Sequence, residues 1–226
     1  MNRLEATFKV VTPLFLGGAN PDECAELREP AIKAALRFWY RAIDPDYRGH
    51  EARIFGGTGK GEGQAMFLLR ARGVREGKTP WDRNRYACFD AAGPKNGVQY
   101  LCYSLTLGGN NRKAINAGGQ IELILTFKQN PEPDDRRRIA AALWLFGHLG
   151  GLGSRSRRGL GTVSLWSYAI KNGGSWQELA DLTPAHGASD ALAWIQSFEK
   201  GCAKIKQWFP TAPSPDHTVL NSEARF

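Results

Sequence analysis

The sequence predicts an α+β fold: a mainly antiparallel sheet that carries its helices on one face. Three observations lead there. Short β-branched and aromatic runs recur along the chain. Two stretches with helical spacing of apolar residues interrupt them. The resulting order is strand, helix, strand, strand, helix, strand, which is the split βαβ or ferredoxin-like arrangement.

Residues 4–16, LEATFKVVTPLFL, alternate partly and read as the first strand. A loop follows to Glu29. Pro30 suits the first turn of a helix, where its missing N–H would have no partner anyway. Ile32, Leu36, Trp39 and Ile43 recur at helical spacing and are expected to face the core. Lys33, Arg37 and Arg41 recur every four residues on another stripe. Residues 49–63 read as a loop and 64–74 as a second strand. Residues 75–97 are turn-rich. Residues 98–107 and 120–128 are strand-like, and the loop between them holds Arg112 and Lys113. Pro131, Pro133, Asp134 and Asp135 mark a second helix with acids at its positive end. Ile139, Leu143 and Phe146 give it an apolar face. A glycine- and arginine-rich loop then leads into a last strand at 160–170.

Two regions are expected. Residues 1–170 form the ferredoxin-like domain. Residues 171–226 supply a linker over 171–185, a helix over 188–209 and a tail. On that helix Leu192, Ile195, Phe198 (or Glu199) and Cys202 share one side. The open face of the sheet is left for a ligand, as in RNA-recognition modules.

The 226 residues are 42% hydrophobic and 23% charged, which excludes disorder as the default. No apolar run has membrane-span length, and the first ten residues lack an apolar signal core. A cytoplasmic protein without membrane contact is expected. Cys24, Cys88, Cys102 and Cys202 form no C-x-x-C pair and have no histidine at zinc-ligand spacing. They are expected as free thiols, with no metal and no cofactor. The net charge of +8 favours a polyanionic partner.

The densest local signal is GHLGGLGSRSRRGLG, residues 147–161. Glycines let backbone N–H groups converge on an anion without Cβ obstruction. Gly150, Gly151 and Gly153 precede Ser154, Arg155, Ser156, Arg157 and Arg158, which add hydroxyl and bidentate guanidinium donors. The Lys33, Arg37 and Arg41 stripe could extend this track or be a solvated helix face. GGTGKGEG resembles a phosphate-binding loop superficially and fails as one. Ile54 stands where the first glycine is needed, and Gly61 where Ser or Thr should follow Lys60. His148 adjoins the glycine-rich loop but has no second histidine near it in the chain. Asp134 and Asp135 are better helix-start residues than metal ligands.

Four blocks carry a family resemblance. They are TPLFLGGA (12–19), ELREPAIKAALRFWYRAI (26–43), EARIFGG (51–57) and FGHLGGLGSRSRRGLGTV (146–163). In this order they resemble the RAMP superfamily of CRISPR-associated proteins, and within it the first subunits of the Cmr, or type III-B, effector complexes. The resemblance implies a ferredoxin-like RAMP fold that binds RNA. It implies a place at the end of the complex that holds the 3′ side of the guide, where the subunit helps to capture target RNA. Cutting and signalling would belong to other subunits, so no catalytic residue is expected. The implied partners are guide RNA, target RNA, or both, and the other subunits of a type III effector. Members of that family usually carry two RAMP units, whereas this chain reads as one unit with a short helical extension. A metal-independent endoribonuclease that processes guide precursors, using His148 or His50, is the rival reading. A purely structural subunit is a third.

Overall fold

A computed structural model describes residues 1–74, 86, 100–102, 105 and 112–210. Its sheet has four strands: β1 (Arg3–Val10), β2 (Phe67–Val74), β3 (Gln120–Phe127) and β4 (Val163–Lys171). They lie in the order β2-β3-β1-β4, and every neighbouring pair is antiparallel. The helices are α1 (Glu29–Ile43), α2 (Tyr47–Phe55), α3 (Pro133–Leu149), α4 (Gln177–Asp181) and α5 (Ala191–Trp208).

Strand periodicity sorts the two faces. Leu4, Ala6, Phe8 and Val10 of β1 are buried, as are Ile121, Leu123, Leu125 and Phe127 of β3. This face meets the main helices; the Phe8 ring lies 5.2 Å from that of Phe146 on α3. The intervening Glu5, Thr7 and Lys9, with Glu122, Ile124 and Thr126, face away and are partly exposed. The α+β ferredoxin-like expectation, with helices on one face and a C-terminal helix added, therefore holds.

Several local expectations need correction. The first strand ends at Val10, not residue 16, because Pro13 cannot donate to a ladder. The strip beyond it stays pinned by a bridge between Leu14 and Ile115. Residues 47–55 form a helix where a loop was expected from residue 49. That helix buries only Glu51, Ile54 and Phe55, too few apolar positions to show a helical period. On α1, Tyr40 takes the buried position expected of Trp39, which is only half-buried. Tyr40 wins because its hydroxyl donates to Asp44 at 2.8 Å. Residues 100–102 and 105 are helical rather than extended. The rest of the strand expected at 98–107, Cys88 and the tail from 211 lie outside the described residues.

The stretch expected as a linker is packed. Trp176, Leu179 and Leu182 join the same core cluster as β1, and α4 lies within the segment. On α5 the packed side is Phe198, Gly201, Cys202 and Ile205, whereas Leu192 and Ile195 are exposed. Gly201 makes this docking possible: a Cβ there would stand 2.9 Å from Cε2 of Trp144. Among the described residues no helix is long and apolar enough to cross a membrane.

Candidate nucleic-acid interface

The glycine-rich loop is held where three extended segments meet. Ser154 N–H donates to Phe15 O, and Gly161 N–H to Pro13 O, both at 2.9 Å. Thr162 N–H donates to the Thr12 hydroxyl at 2.9 Å. The strip 12–16 is bonded on its other side to Ile115. So the TPLF block forms the bed on which the loop lies.

Packing explains several of the glycines better than flexibility does. Gly147 lets α3 settle on β4, since a Cβ there would reach Leu165 N at 3.0 Å and overlap its side chain. Gly153 has φ +79°, and a Cβ there would stand 2.8 Å from the Phe15 carbonyl carbon. Gly150 and Gly151 are similarly enclosed, against Phe146 and Gly161 respectively. Such a loop is a shaped turn rather than a slack connection.

Its crest is the short 3₁₀ turn Ser156–Arg158. Arg155 precedes it in the left-handed region, at φ 64° and ψ 20°. Arg157 and Arg158 are exposed, and among the described residues neither forms an ion pair. Gly153, Arg155, Ser156, Arg157 and Arg158 line an open depression of about 450 Å³. Arg112 approaches from the segment before β3, and its Nη1 donates to the Ser154 hydroxyl at 3.2 Å. Sequence reasoning placed Arg112 in a loop but had no local signal to bring it here.

Lys33, Arg37 and Arg41 lie elsewhere, along the seam between α1 and α2. Lys33 Nζ donates to Phe55 O at 3.2 Å, and Arg37 Nη2 to Gly56 O at 2.7 Å. Both satisfy carbonyls at the C-terminal, electronegative end of α2. Arg37 Nε and Arg41 Nη2 also donate to Glu51 Oε1, at 2.8 and 2.6 Å. Burial, then the neighbouring Arg37 charge, pulls the Lys33 ammonium below its ordinary pKa. The stripe is thus largely engaged within the protein, although the Arg41 side chain remains 52% exposed. The loop holding Lys60 is closed by its own acid: Glu62 accepts the Gly59 N–H at 2.7 Å.

His148 and His50 are braces. His148 Nδ1 lies 2.7 Å from Trp144 O, and Nε2 accepts the Ala185 N–H at 3.0 Å. This pairing requires the neutral Nδ1–H tautomer. Burial holds the imidazole below its ordinary pKa, while the Trp144 carbonyl pulls the other way. His50 Nε2 pairs with Asp46 at 3.2 Å. Asp135, expected at a helix start, is there; it accepts from Arg53 and Arg138 and is 2% exposed.

The open sheet face differs from a stacking platform. Its central strands present Glu5, Thr7, Lys9, Glu122, Ile124 and Thr126, none aromatic. Trp166 occupies the bulge opposite Thr7 and Phe8. Its ring is taken by Lys9 Nζ, 3.7 Å from the centroid, and by the stacked His186 ring.

A ferredoxin-like sheet joined to an arginine- and glycine-rich loop defines the class, and a family model described as the RAMP superfamily matches residues 7–164. The chain belongs to the RAMP superfamily. Within it the chain is similar to Cmr1 subunits. It is 26% identical to the CRISPR system Cmr subunit Cmr1-2 of Pyrococcus furiosus over 184 residues, covering 71% of this chain and 95% of that protein. It is 28% identical to Cmr1-1 of the same organism over 154 residues, covering 63% of this chain and 41% of that one. The crystal structure of apo Cmr1 from Pyrococcus furiosus has the same fold, with a TM-score of 0.66 at 21% identity. That match covers 92% of this chain and 59% of the other. A chain of the type III-B Cmr-beta complex bound to cognate target RNA matches with a TM-score of 0.57 at 12% identity, over 99% of this chain and 65% of its own length. The chain therefore spans less than two thirds of Cmr1-1 and of the Cmr1 crystal structure.

Proposed function

We propose that this protein is an RNA-binding subunit of a type III-B CRISPR effector complex, that it holds target RNA near the 3′ end of the guide, and that it does not itself cut RNA. One observation carries the reading. Arg155, Arg157 and Arg158 stand together on a tightly built loop, and the two exposed ones have no ionic partner among the described residues. Such guanidinium groups suit phosphates, which they can grip bidentately. The similarity to Cmr1 subunits supports the assembly, and the target RNA named for the Cmr-beta complex supports the ligand. Lys33, Arg37 and Arg41 take a supporting part in this reading. They fix α2 against α1, with the exposed part of Arg41 available to a passing backbone.

Replacing Arg155, Arg157 and Arg158 together with alanine should weaken binding of single-stranded RNA regardless of its sequence. Each phosphate contact in a single strand contributes about 0.7 to the salt slope, so the slope should flatten by about two. Unchanged affinity and slope would remove the loop from the interface. The endoribonuclease reading needs a histidine free to move protons, and both ring nitrogens of His148 are engaged with backbone. Specific cleavage of repeat RNA in EDTA that vanishes in His148→Ala would restore it.

A further inference from the structure

We infer that Arg112 is a second phosphate-gripping residue, joined to the arginine loop through Ser154, so that single-stranded RNA is gripped by Arg112 together with the loop arginines. The inference rests on the RNA-binding reading above and adds a residue from a separate part of the chain.

Arg112 is placed with care. Its neighbour Lys113 donates its N–H to Pro21 O at 2.9 Å, and Ile115 exchanges both backbone bonds with Leu14 at 2.9 Å. The backbone leading to Arg112 is thereby fixed to the 12–21 strip. The guanidinium then lies over Gly17: a Cβ at that position would stand 3.3 Å from Nη2. That is tighter than ordinary van der Waals contact, so the first glycine of the LGG segment clears the seat of this side chain. The Glu26 carboxylate occupies the matching space over Gly18 without forming an ion pair with Arg112.

Among the described residues the charge on Arg112 has no carboxylate partner. A guanidinium offers five N–H donors. Among the described residues Arg112 uses one, on the neutral Ser154 hydroxyl, and meets no carboxylate within ion-pair distance. It is nevertheless partly buried. A half-buried cation with one neutral acceptor is favourable when an anion completes its coordination. Ser154 is the hinge of the arrangement. Its N–H is tied to Phe15 O, its hydroxyl to Arg112, and the next residues are Arg155 to Arg158. Arg112 and the loop arginines therefore flank one shared residue, Ser154. Adjacent phosphates of one strand are the ligand that suits guanidinium groups gathered around one residue.

The test uses the full chain and a single-stranded RNA oligonucleotide, with affinity measured across a salt series. Arg112→Ala should bind about tenfold more weakly, as for loss of a charge-assisted hydrogen bond, with a salt slope lower by about 0.7 and little change in Tm. Arg112→Lys should lose affinity but keep the slope, since it keeps the charge. Ser154→Ala should also keep the slope, because it removes only the neutral acceptor. If Arg112→Ala weakens binding without changing the slope, Arg112 acts only by positioning the loop and the inference is overturned. Unchanged affinity in Arg112→Ala overturns it too. The Arg155, Arg157 and Arg158 triple variant separates the two ideas. If the triple variant loses binding while Arg112→Ala does not, only Arg112 is misassigned. If neither loses binding, the RNA-binding reading itself falls.

Discussion

Arg155 holds a backbone conformation that suits glycine better. Its φ of 64° lies in the left-handed region, which costs a residue with a Cβ about 1–2 kcal/mol. Strain of this kind persists where surrounding bonds enforce it, and it gathers at sites of use. Here the Arg155 carbonyl accepts the Arg158 N–H at 2.8 Å, closing the turn that raises Arg157 and Arg158. Arg155→Gly should therefore separate stability from binding. Stability should rise by about 1 kcal/mol in urea unfolding, while RNA affinity falls. A variant that loses both would show that the arginine side chain holds the turn. Residues such as this were only half legible in the sequence. The clustering of arginines with glycines pointed to an anion site. The reason for each glycine did not show, because Leu165 and Phe15 come close to Gly147 and Gly153 only after folding. The place of Arg112 beside this loop was hidden for the same reason, with Ser154 lying 42 residues away. The α1 stripe was visible as a period, but nothing local disclosed that Glu51 and the end of α2 would engage it.

At the scale of elements, helix α3 does more than cover the sheet. Ile139 to Gly147 are all buried, so the helix is enclosed on every side in its second half. A face of Ile139, Leu143 and Phe146 was expected because the periodicity of a helix reports one buried side, and a helix buried all round has little periodicity to report. Helix α2 escaped notice for the opposite reason. It is held by ionic contacts, from Arg37 and Arg41 to Glu51 and from Arg53 to Asp135, and charged residues look like surface in a sequence. The last turn of α3 carries a pH dependence. Burial lowers the His148 pKa in the folded state, so the unfolded chain takes up the proton more readily. The stability this group contributes is complete above the unfolded value of about 6.5 and is lost as pH falls through the folded one. Protonation also removes the acceptor for the Ala185 N–H. The Tm should therefore drop between pH 7.5 and 5.5 by more in the native protein than in His148→Gln. Equal drops would assign the dependence to other groups, among them His186, whose pKa burial and Lys9 also lower.

For the whole molecule, the sequence suggested a domain ending at residue 170, because the last expected strand ends there and the next residues, KNGGS, read as a break. The core does not end with the sheet. A chain of rings runs from Tyr40 through Phe55, Phe67 and Phe127 to Trp176, each within 6 Å of the next, and so crosses from α1 to the segment beyond β4. Trp144 is fully buried because Thr183 accepts its indole N–H at 3.0 Å and Phe198 stacks on its ring. Removing residues 171–226 would uncover Trp144 and Phe127 and delete Trp176, Leu179, Leu182 and Ile205 from one shared core. Each of these side chains stabilises by about 1.5–3 kcal/mol on burial. Four of them together match the total stability of a domain, about 5–15 kcal/mol. A chain cut at residue 170 should therefore lack a cooperative unfolding transition and bind hydrophobic dyes, even though it keeps all of the sheet but Lys171, and the arginine loop. Leu182→Ala in the full chain should show the milder form of the same effect, a loss of about 2–5 kcal/mol with a single cooperative transition retained. A shortened chain that unfolds cooperatively near the native Tm would show that the C-terminal helices decorate the RAMP unit. Failure of the shortened chain beside a folded Leu182→Ala would show that they complete it.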